Sequence, residues 1–505
     1  MAGFVVIYGD PQRRELESMF NRISHRGPAH QDIFIALPLM MAQNYLEADL
    51  AATPKKPGIF QNLQADGLTI CYDGQMGNWQ ELGPQYGVED GPFREPALLL
   101  KLYQQFGRDM FQHLPDGIFA FVIRDGNKLL AARDLQGIKT LFYGHKNGNL
   151  YLGSELKSLV PVTDDVHSFP AGHFMDENGH LTRFAALPQK PPSPFHADLE
   201  EMIQQVRRII QKTFDNRVDF RVPTASLLSG GIDSSVIAAL AVEGVKKKFG
   251  DKARLKTFSL GVGESQDILN ARLVAEHLNT DYHEYIVSLE ELLNVLPEVV
   301  YYLESFDPSL VRSSASNFLI SQYAQREGTQ VLLSGEGGDE VFCGYIYLKD
   351  FPTEELFGRQ MECISFLERN ASLRLDRMNQ CHSVKVVAPL ISGELLDYSL
   401  AIPPEYKQKP EGEEKIEKWI FRKAFEDKLP EQVVWRLKQE FSQGSGSADV
   451  LPQYFDNVFS DNELAETQEQ FPMVRSKEEL YYFRIFTEHF GSGKAVDTVG
   501  QWVCI

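Results

Sequence analysis

The stretch that decides the fold is LLSGGIDSS, Leu227 to Ser235. It completes the apolar run VPTASLL and opens SSVIAALAVEGVKKKFG, a helical pattern that ends at Gly250. Strand, glycine turn and helix in that order begin a parallel βαβ unit. Ligands of such sheets sit beyond the carboxyl ends of the strands. Gly230 and Gly231 let the backbone approach an anion closely, and the helix start offers unpaired N–H donors. Ser229, Ser234 and Ser235 add hydroxyls. Asp233 is the odd member, because a carboxylate beside a phosphate makes sense only with a cation between them, and Mg2+ is the expected one. On these residues alone, an ordinary N-capped turn stands about level with a phosphate loop.

The pattern continues on both sides. LKTFSLGV reads as a strand, ILNARLVAEHLN as a helix, DYHEYIV as a strand, and TQVLLSG (Thr329–Gly335) as another after two helices. Strands alternating with helices predict a doubly wound parallel sheet, and from Glu354 onward the pattern is mostly helical. A second loop, LLSGEGGDEVFCGY (Leu332–Tyr345), again leaves a strand through Ser-Gly and carries Glu336, Asp339 and Glu340. Two acidic glycine turns at one edge of a sheet favour a shared phosphate and metal site, with Asp339 as the second carboxylate.

The first ~190 residues differ. LTICYDGQMGN, GIFAFVIRDGNKLLAARD and TLFYGHKNGNLYLGSE are β-rich runs with Asp-Gly and Asn-Gly pairs at hairpin positions, and REPALLLKLYQQFG has helical spacing. These predict an antiparallel α+β module over 1–190, the Pro-rich linker LPQKPPSPFHADLEE, and an α/β domain over 196–505.

Composition narrows the function. The 505 residues carry a net charge of -20, so nucleic acid is not expected as a partner, while a local phosphate site remains open. No stretch reads as a signal peptide, and Ile33–Ala42, broken by Pro38, is too short for a bilayer span of ~20 residues. Five scattered cysteines without C-x-x-C argue against a disulfide framework or a zinc site and point to a reducing, cytoplasmic location.

SGGIDSS resembles the pyrophosphate-binding loop of the PP-loop ATP pyrophosphatases. Together with SGEGGDE and WRLKQEFSQGSG (Trp435–Gly446), it makes the chain resemble the asparagine synthetase family over nearly its whole length. SHRGP (Ser24–Pro28), DGIFAF, ARDLQGIKTLFY, SELKSLV and FPAGH are similar to that family's glutaminase domain, an Ntn-hydrolase-like sandwich. The resemblance implies that a carboxylate, aspartate or an analogue, attacks the α-phosphate of ATP. An acyl-adenylate and pyrophosphate form, and ammonia or an amine then displaces AMP. By position, Ser229, Gly230, Gly231, Asp233 and Ser234 would hold pyrophosphate, and Asp233 and Asp339 would hold Mg2+. Leu228, Leu260, Ser334 and Gly335 would line the nucleotide pocket. Glu336 would accept the amine's proton and Lys438 would stabilise the phosphoryl charge. ESFDPSLVRSS (Glu304–Ser314) resembles the aspartate-holding segment, with Ser309 and Arg312 as contacts. A homodimer stays open.

The N-terminal half departs from that family. Its nucleophile is an N-terminal cysteine, and this chain begins Met1-Ala2-Gly3-Phe4. Asp73-Gly74 replaces an Asn-Gly of the oxyanion hole, LPLMMAQN lacks the arginine of an Arg-Leu-Ser segment, and GPFREP replaces Gly-Ser-Asp-Cys-Glu. The expectation is a glutaminase fold without glutaminase activity. β-Lactam synthetases also have a dead N-terminal domain, which leaves ring closure in specialised metabolism as an alternative, although they have tyrosine where this chain has Glu336. A silent nucleotide-binding protein is the third reading.

Overall fold

The computed structural model describes residues 2–50, 67–91, 93–114, 116–193, 198–263, 265–412, 414–438 and 447–502. Part of the Pro-rich linker, including position 196, most of WRLKQEFSQGSG after Lys438, and Cys504 lie outside these residues.

Eleven strands of the N-terminal part appear among the described residues. They are β1 (Gly3–Tyr8), β2 (His30–Ala36), β3 (Leu39–Tyr45), β4 (Leu68–Gln75), β5 (Ile118–Asp125) and β6 (Lys128–Arg133). The rest are β7 (Phe142–Lys146), β8 (Asn149–Gly153), β9 (Val166–Ser168), β10 (His173–Asp176) and β11 (Leu181–Arg183). They form a six-stranded sheet, β2-β3-β1-β8-β7-β9, and a five-stranded sheet, β11-β10-β6-β5-β4. All pairings are antiparallel. Alternation along the strands makes the layers. Val5 and Ile7 face Leu16, Met19 and Phe20 of the helix Arg13–Asn21, whereas Phe4 and Val6 pack inward with Cys71, Ala120 and Val122 of the second sheet. The far face of that sheet, with Ile70, Phe119 and Phe121, is covered by Leu98, Leu99 and Leu102 of the helix Arg94–Phe106. The result is helix, sheet, sheet, helix. The Asn-Gly signal works as expected: Asn147 and Gly148 have φ of 52° and 81° and close the β7–β8 hairpin.

The second half is built on β12 (Thr224–Leu227), β13 (Lys256–Val262), β14 (Asp281–Val287), β15 (Val331–Leu333) and β16 (Lys385–Val387). All are parallel, in the order β14-β13-β12-β15-β16. From β12 the chain winds out to β14, then returns across β12 to β15 and β16. β12 and β15 therefore flank the point where the winding reverses, which is where a doubly wound sheet opens a crevice. Ala225, Phe258 and Leu332 pack against the helices Leu289–Leu303, Pro308–Arg326 and Lys477–Phe490 on one face. Val331 and Leu333 pack on the other face with the helices Leu199–Arg217, Ile232–Phe249 and Gln266–Leu278. Beyond Glu354 the chain is mostly helical, as expected, and adds β16, whose three residues are too few to show a periodicity. No described helix is long and apolar enough to cross a membrane.

Candidate active site

The crevice is an actual cleft. Leu228, Ser229, Gly231, Asp233, Ser234, Leu260, Ser309, Ser334, Gly335, Glu336, Asp339 and Lys438, all singled out in the sequence, line it. Two do not. Gly230, with φ of 70°, turns its carbonyl to Arg436 Nη1 at 3.0 Å. Arg312 is directed to Glu478, with Nε 3.2 Å from Oε1, on the helix Lys477–Phe490. That pairing holds the Arg312 guanidinium against Lys477–Phe490, outside the lining of the cleft.

The loop after β12 is tied by its own hydroxyls. Ser234 Oγ lies 3.0 Å from Ser229 Oγ and accepts from Ser229 N at 3.2 Å. This tightens the turn over the first residues of the helix, whose N–H groups face the cleft with the favourable end of the helix dipole. The two loops touch. A Cβ at Gly335 would lie 2.5 Å from Ser234 N, and one at Gly338 would lie 2.2 Å from Asp233 Oδ1. A larger residue at 335 would meet the backbone of the other loop, and one at 338 would displace the Asp233 carboxylate.

Asp233 and Asp339 meet through a residue that sequence reading missed. Lys418 Nζ is 2.6 Å from Asp233 Oδ2 and 2.8 Å from Asp339 Oδ1, and its side chain is completely buried. Lys438 Nζ is 2.8 Å from the other oxygen, Asp339 Oδ2. Burial pushes the Asp339 carboxyl up, but the ammonium groups of Lys418 and Lys438 outweigh it and hold the group well below the usual carboxylate range. Burial opposes the charge on Lys438, yet Asp339 and Asp233 raise it above an ordinary lysine. Asp233 Oδ1 is buried without a hydrogen-bond partner. Two carboxylates and one unused oxygen suit Mg2+, which takes one or two protein carboxylates and completes its shell with phosphate oxygens and water. Among the described residues no cluster of three acidic, His or Cys side chains could hold a metal by itself.

The opposite wall carries Glu336, whose carboxylate is ion-paired with Arg374 Nη2. Ser313 and Asn317, one and two turns beyond Ser309 on Pro308–Arg326, complete that side. Asn317 Nδ2 has no hydrogen-bond partner although the residue is buried. In the loop after β15, burial and the charges of Glu336 and Asp339 push Glu340 up to about 7, and the Tyr345 hydroxyl donates to it at 2.7 Å. Arg436, within the third motif, also donates to Asp267 at 2.8 Å and so fixes the start of Gln266–Leu278 beside the phosphate loop. Lys418, Arg374 and Arg436 are long charged side chains that look like solvated surface in a sequence; only Arg436 had a signal, its place beside Lys438.

The buried residues around Ala2 are organised differently. Ala2 is fully buried, and its carbonyl accepts from Arg26 Nε. Asp73 does not face solvent; it lies 3.0 Å from Arg26 Nη2 and 3.2 Å from Lys139 Nζ. The repulsion of an oxyanion expected of Asp73 is thus tempered by two cations, which in turn leave it committed to them.

A parallel sheet with an acidic phosphate loop at its reversal point, behind an amidotransferase-type sandwich, defines an ATP-using carbon–nitrogen ligase. The particular family follows: the chain belongs to the asparagine synthase family, whose model, described as "Asparagine synthase", matches residues 205–370 and 359–497. A "Glutamine amidotransferase domain" model matches residues 1–209. The chain is similar to asparagine synthetase [glutamine-hydrolyzing] of Gallus gallus, 31% identical over 463 residues, covering 84% of this chain and 82% of that one. It is also similar to asparagine synthetase B [glutamine-hydrolyzing] of Escherichia coli K12, 30% identical over 505 residues, covering 96% and 90%.

Proposed function

We propose that this ligase adenylates a small carboxylic acid, aspartate or an analogue, and passes the acyl group to ammonia or an amine without hydrolysing glutamine. The observation that carries the first half is the convergence of Asp233 and Asp339 on one buried ammonium, with Lys438 beside them. The helix start at Ile232 and the Ser229 and Ser234 hydroxyls bind the β- and γ-phosphates. Asp233 and Asp339 would hold Mg2+, which would supply neutralisation of the phosphate charge when bound. Lys438 donates to the α-phosphoryl oxygens as the acid's carboxylate attacks phosphorus, and pyrophosphate leaves. Glu336 then takes a proton from the attacking amine as the acyl–oxygen bond to AMP breaks. Arg374, paired with Glu336, orients that carboxylate. Asn317 Nδ2 is a free donor for the nucleotide or the acid.

The second half rests on four features of the N-terminal domain: Ala2 in place of a nucleophile, Asp73 bound to two cations, Gln43 and Asn44 near the expected arginine, and full burial of Ala2. The curated relatives are named glutamine-hydrolysing, so this chain is proposed to differ from them in its nitrogen source. The test is a screen of acids with ammonium or primary amines, ATP and Mg2+, with mass detection of AMP and the coupled product. Release of ADP and phosphate in place of AMP and pyrophosphate refutes the adenylation step. Glutamate formed from glutamine refutes the second half. A lactam formed from a single amino-acid substrate would favour ring closure.

A further inference from the structure

Eight charged side chains with no place in the chemistry lie buried where the two domains meet. The cations are Arg26, Lys139 and Lys157 from the sandwich and Arg377 from the synthetase half; the anions are Asp73 and Glu155 from the sandwich and Glu304 and Asp376 from the synthetase half. All are less than a tenth exposed. Arg26 Nη1 reaches Asp376 Oδ2 at 2.7 Å and Glu155 Oε1 at 2.8 Å, and Lys139 Nζ reaches Asp376 Oδ1 at 3.0 Å. Lys157 bridges Glu155 at 2.7 Å and Glu304 at 2.8 Å, while Arg377 joins Glu304 at 2.9 Å and also pairs with Glu155. Four positive and four negative groups leave the cluster neutral, which is how charges persist without water.

The cluster ends on one helix. Asp376 and Arg377 belong to Ala371–Gln380, and the start of that helix supplies Ala371, Arg374 and Leu375 to the wall of the cleft. At 3.6 residues per turn, Asp376 stands on the side opposite Arg374. One side of a short helix is therefore gripped by the sandwich while the other holds Arg374 against Glu336. The apolar core supports the same coupling, since Leu16 and Phe20 of the sandwich share one core with Val299, Leu303 and Met378.

We infer that the N-terminal domain serves the ligase as a brace: Arg26 and Lys139 are positioning residues that hold Asp376, and through its helix Arg374, in the synthetase cleft. The inference stands apart from whether glutamine is hydrolysed, and it assigns the sandwich a role that needs no nucleophile.

The experiment uses the full chain with Arg26→Met, Arg26→Lys and, for comparison, Arg13→Met, whose partner Glu17 is an exposed neighbour on its own helix. Hydrogen–deuterium exchange is read for amides of Ala371–Gln380 and of Ile232–Phe249. Arg26→Met is expected to speed exchange in Ala371–Gln380 about tenfold more than in Ile232–Phe249, with Arg26→Lys recovering most of the protection and Arg13→Met neutral. With L-aspartate, ammonium, ATP and Mg2+, pyrophosphate release by Arg26→Met should show a raised KM for the acid and an unaltered KM for ATP. The exchange pattern decides the matter whichever acid is the substrate. Unchanged exchange in Ala371–Gln380, or an equal rise in both helices, overturns the brace.

Discussion

The synthetase cleft and the buried charge cluster of the sandwich handle charge differently. In the synthetase cleft Asp233, Asp339, Lys418 and Lys438 are mutually close, yet Asp233 Oδ1 and Asn317 Nδ2 have no hydrogen-bond partner. In the sandwich, Arg26 meets three carboxylates and Asp73 meets two cations. A site that must receive a ligand keeps polar atoms in reserve, because each unpaired buried group is unfavourable until the ligand satisfies it. In the sandwich cluster the charges are matched by opposite charges, although Arg377 Nε there is also buried without a hydrogen-bond partner.

The contrast can be broken in several ways. The largest effect is expected in the cleft: Lys438→Met or Asp339→Asn should lower the rate of pyrophosphate release by about 10²–10³-fold, with near-native denaturant midpoints. A comparable rate in either variant would remove the cleft from the chemistry. Next, Arg26→Met should destabilise the chain by about 3–5 kcal/mol in urea unfolding, since it leaves Asp73, Glu155 and Asp376 short of one buried cation. A loss below about 1 kcal/mol would place the sandwich charges among ordinary surface pairs.

Acid should act first on the buried charge cluster. Burial, followed by the charges of Lys157, Arg26 and Arg377, holds His25 well below its ordinary value, and burial lowers His382 to about 4. The folded chain keeps both rings neutral. A base depressed on folding contributes stability that is fully present above its unfolded value of about 6.5 and is lost as the pH falls. His25→Gln should therefore narrow the difference between urea midpoints at about pH 8 and about pH 5. An equal difference in wild type and variant would assign the acid limb elsewhere. The smallest effect is a null one: Ala2→Cys should release no glutamate from glutamine, because Asp73 remains bound to Arg26 and Lys139.

What the sequence made legible follows from backbone geometry. Gly335 and Gly338 are forced by close approach to Ser234 and Asp233, and the run of small residues in both loops carries that constraint openly. The Asn147-Gly148 hairpin turn and the helical spacing of Arg94–Phe106 are equally local. Lys418 and Arg374 were hidden because their roles depend on partners 185 and 38 residues away in the chain. Arg26 was quoted within SHRGP, but nothing near it names Asp376, 350 residues further on. The pairing of Arg312 was hidden for the same reason, since its partner Glu478 is supplied by a helix far downstream. Local signals show where the backbone must bend, and the destination of a long side chain is set by the tertiary fold.

The contact between Gly338 and Asp233 has a practical consequence for engineering. With 2.2 Å between a Cβ at position 338 and the Asp233 oxygen, the segments 229–235 and 334–339 act as one mosaic unit. A chimera that imports either segment alone from a relative should fold poorly around the cleft, whereas one that imports both should retain it. Recombination libraries built on this scaffold therefore need a crossover scheme that keeps the two segments from the same parent.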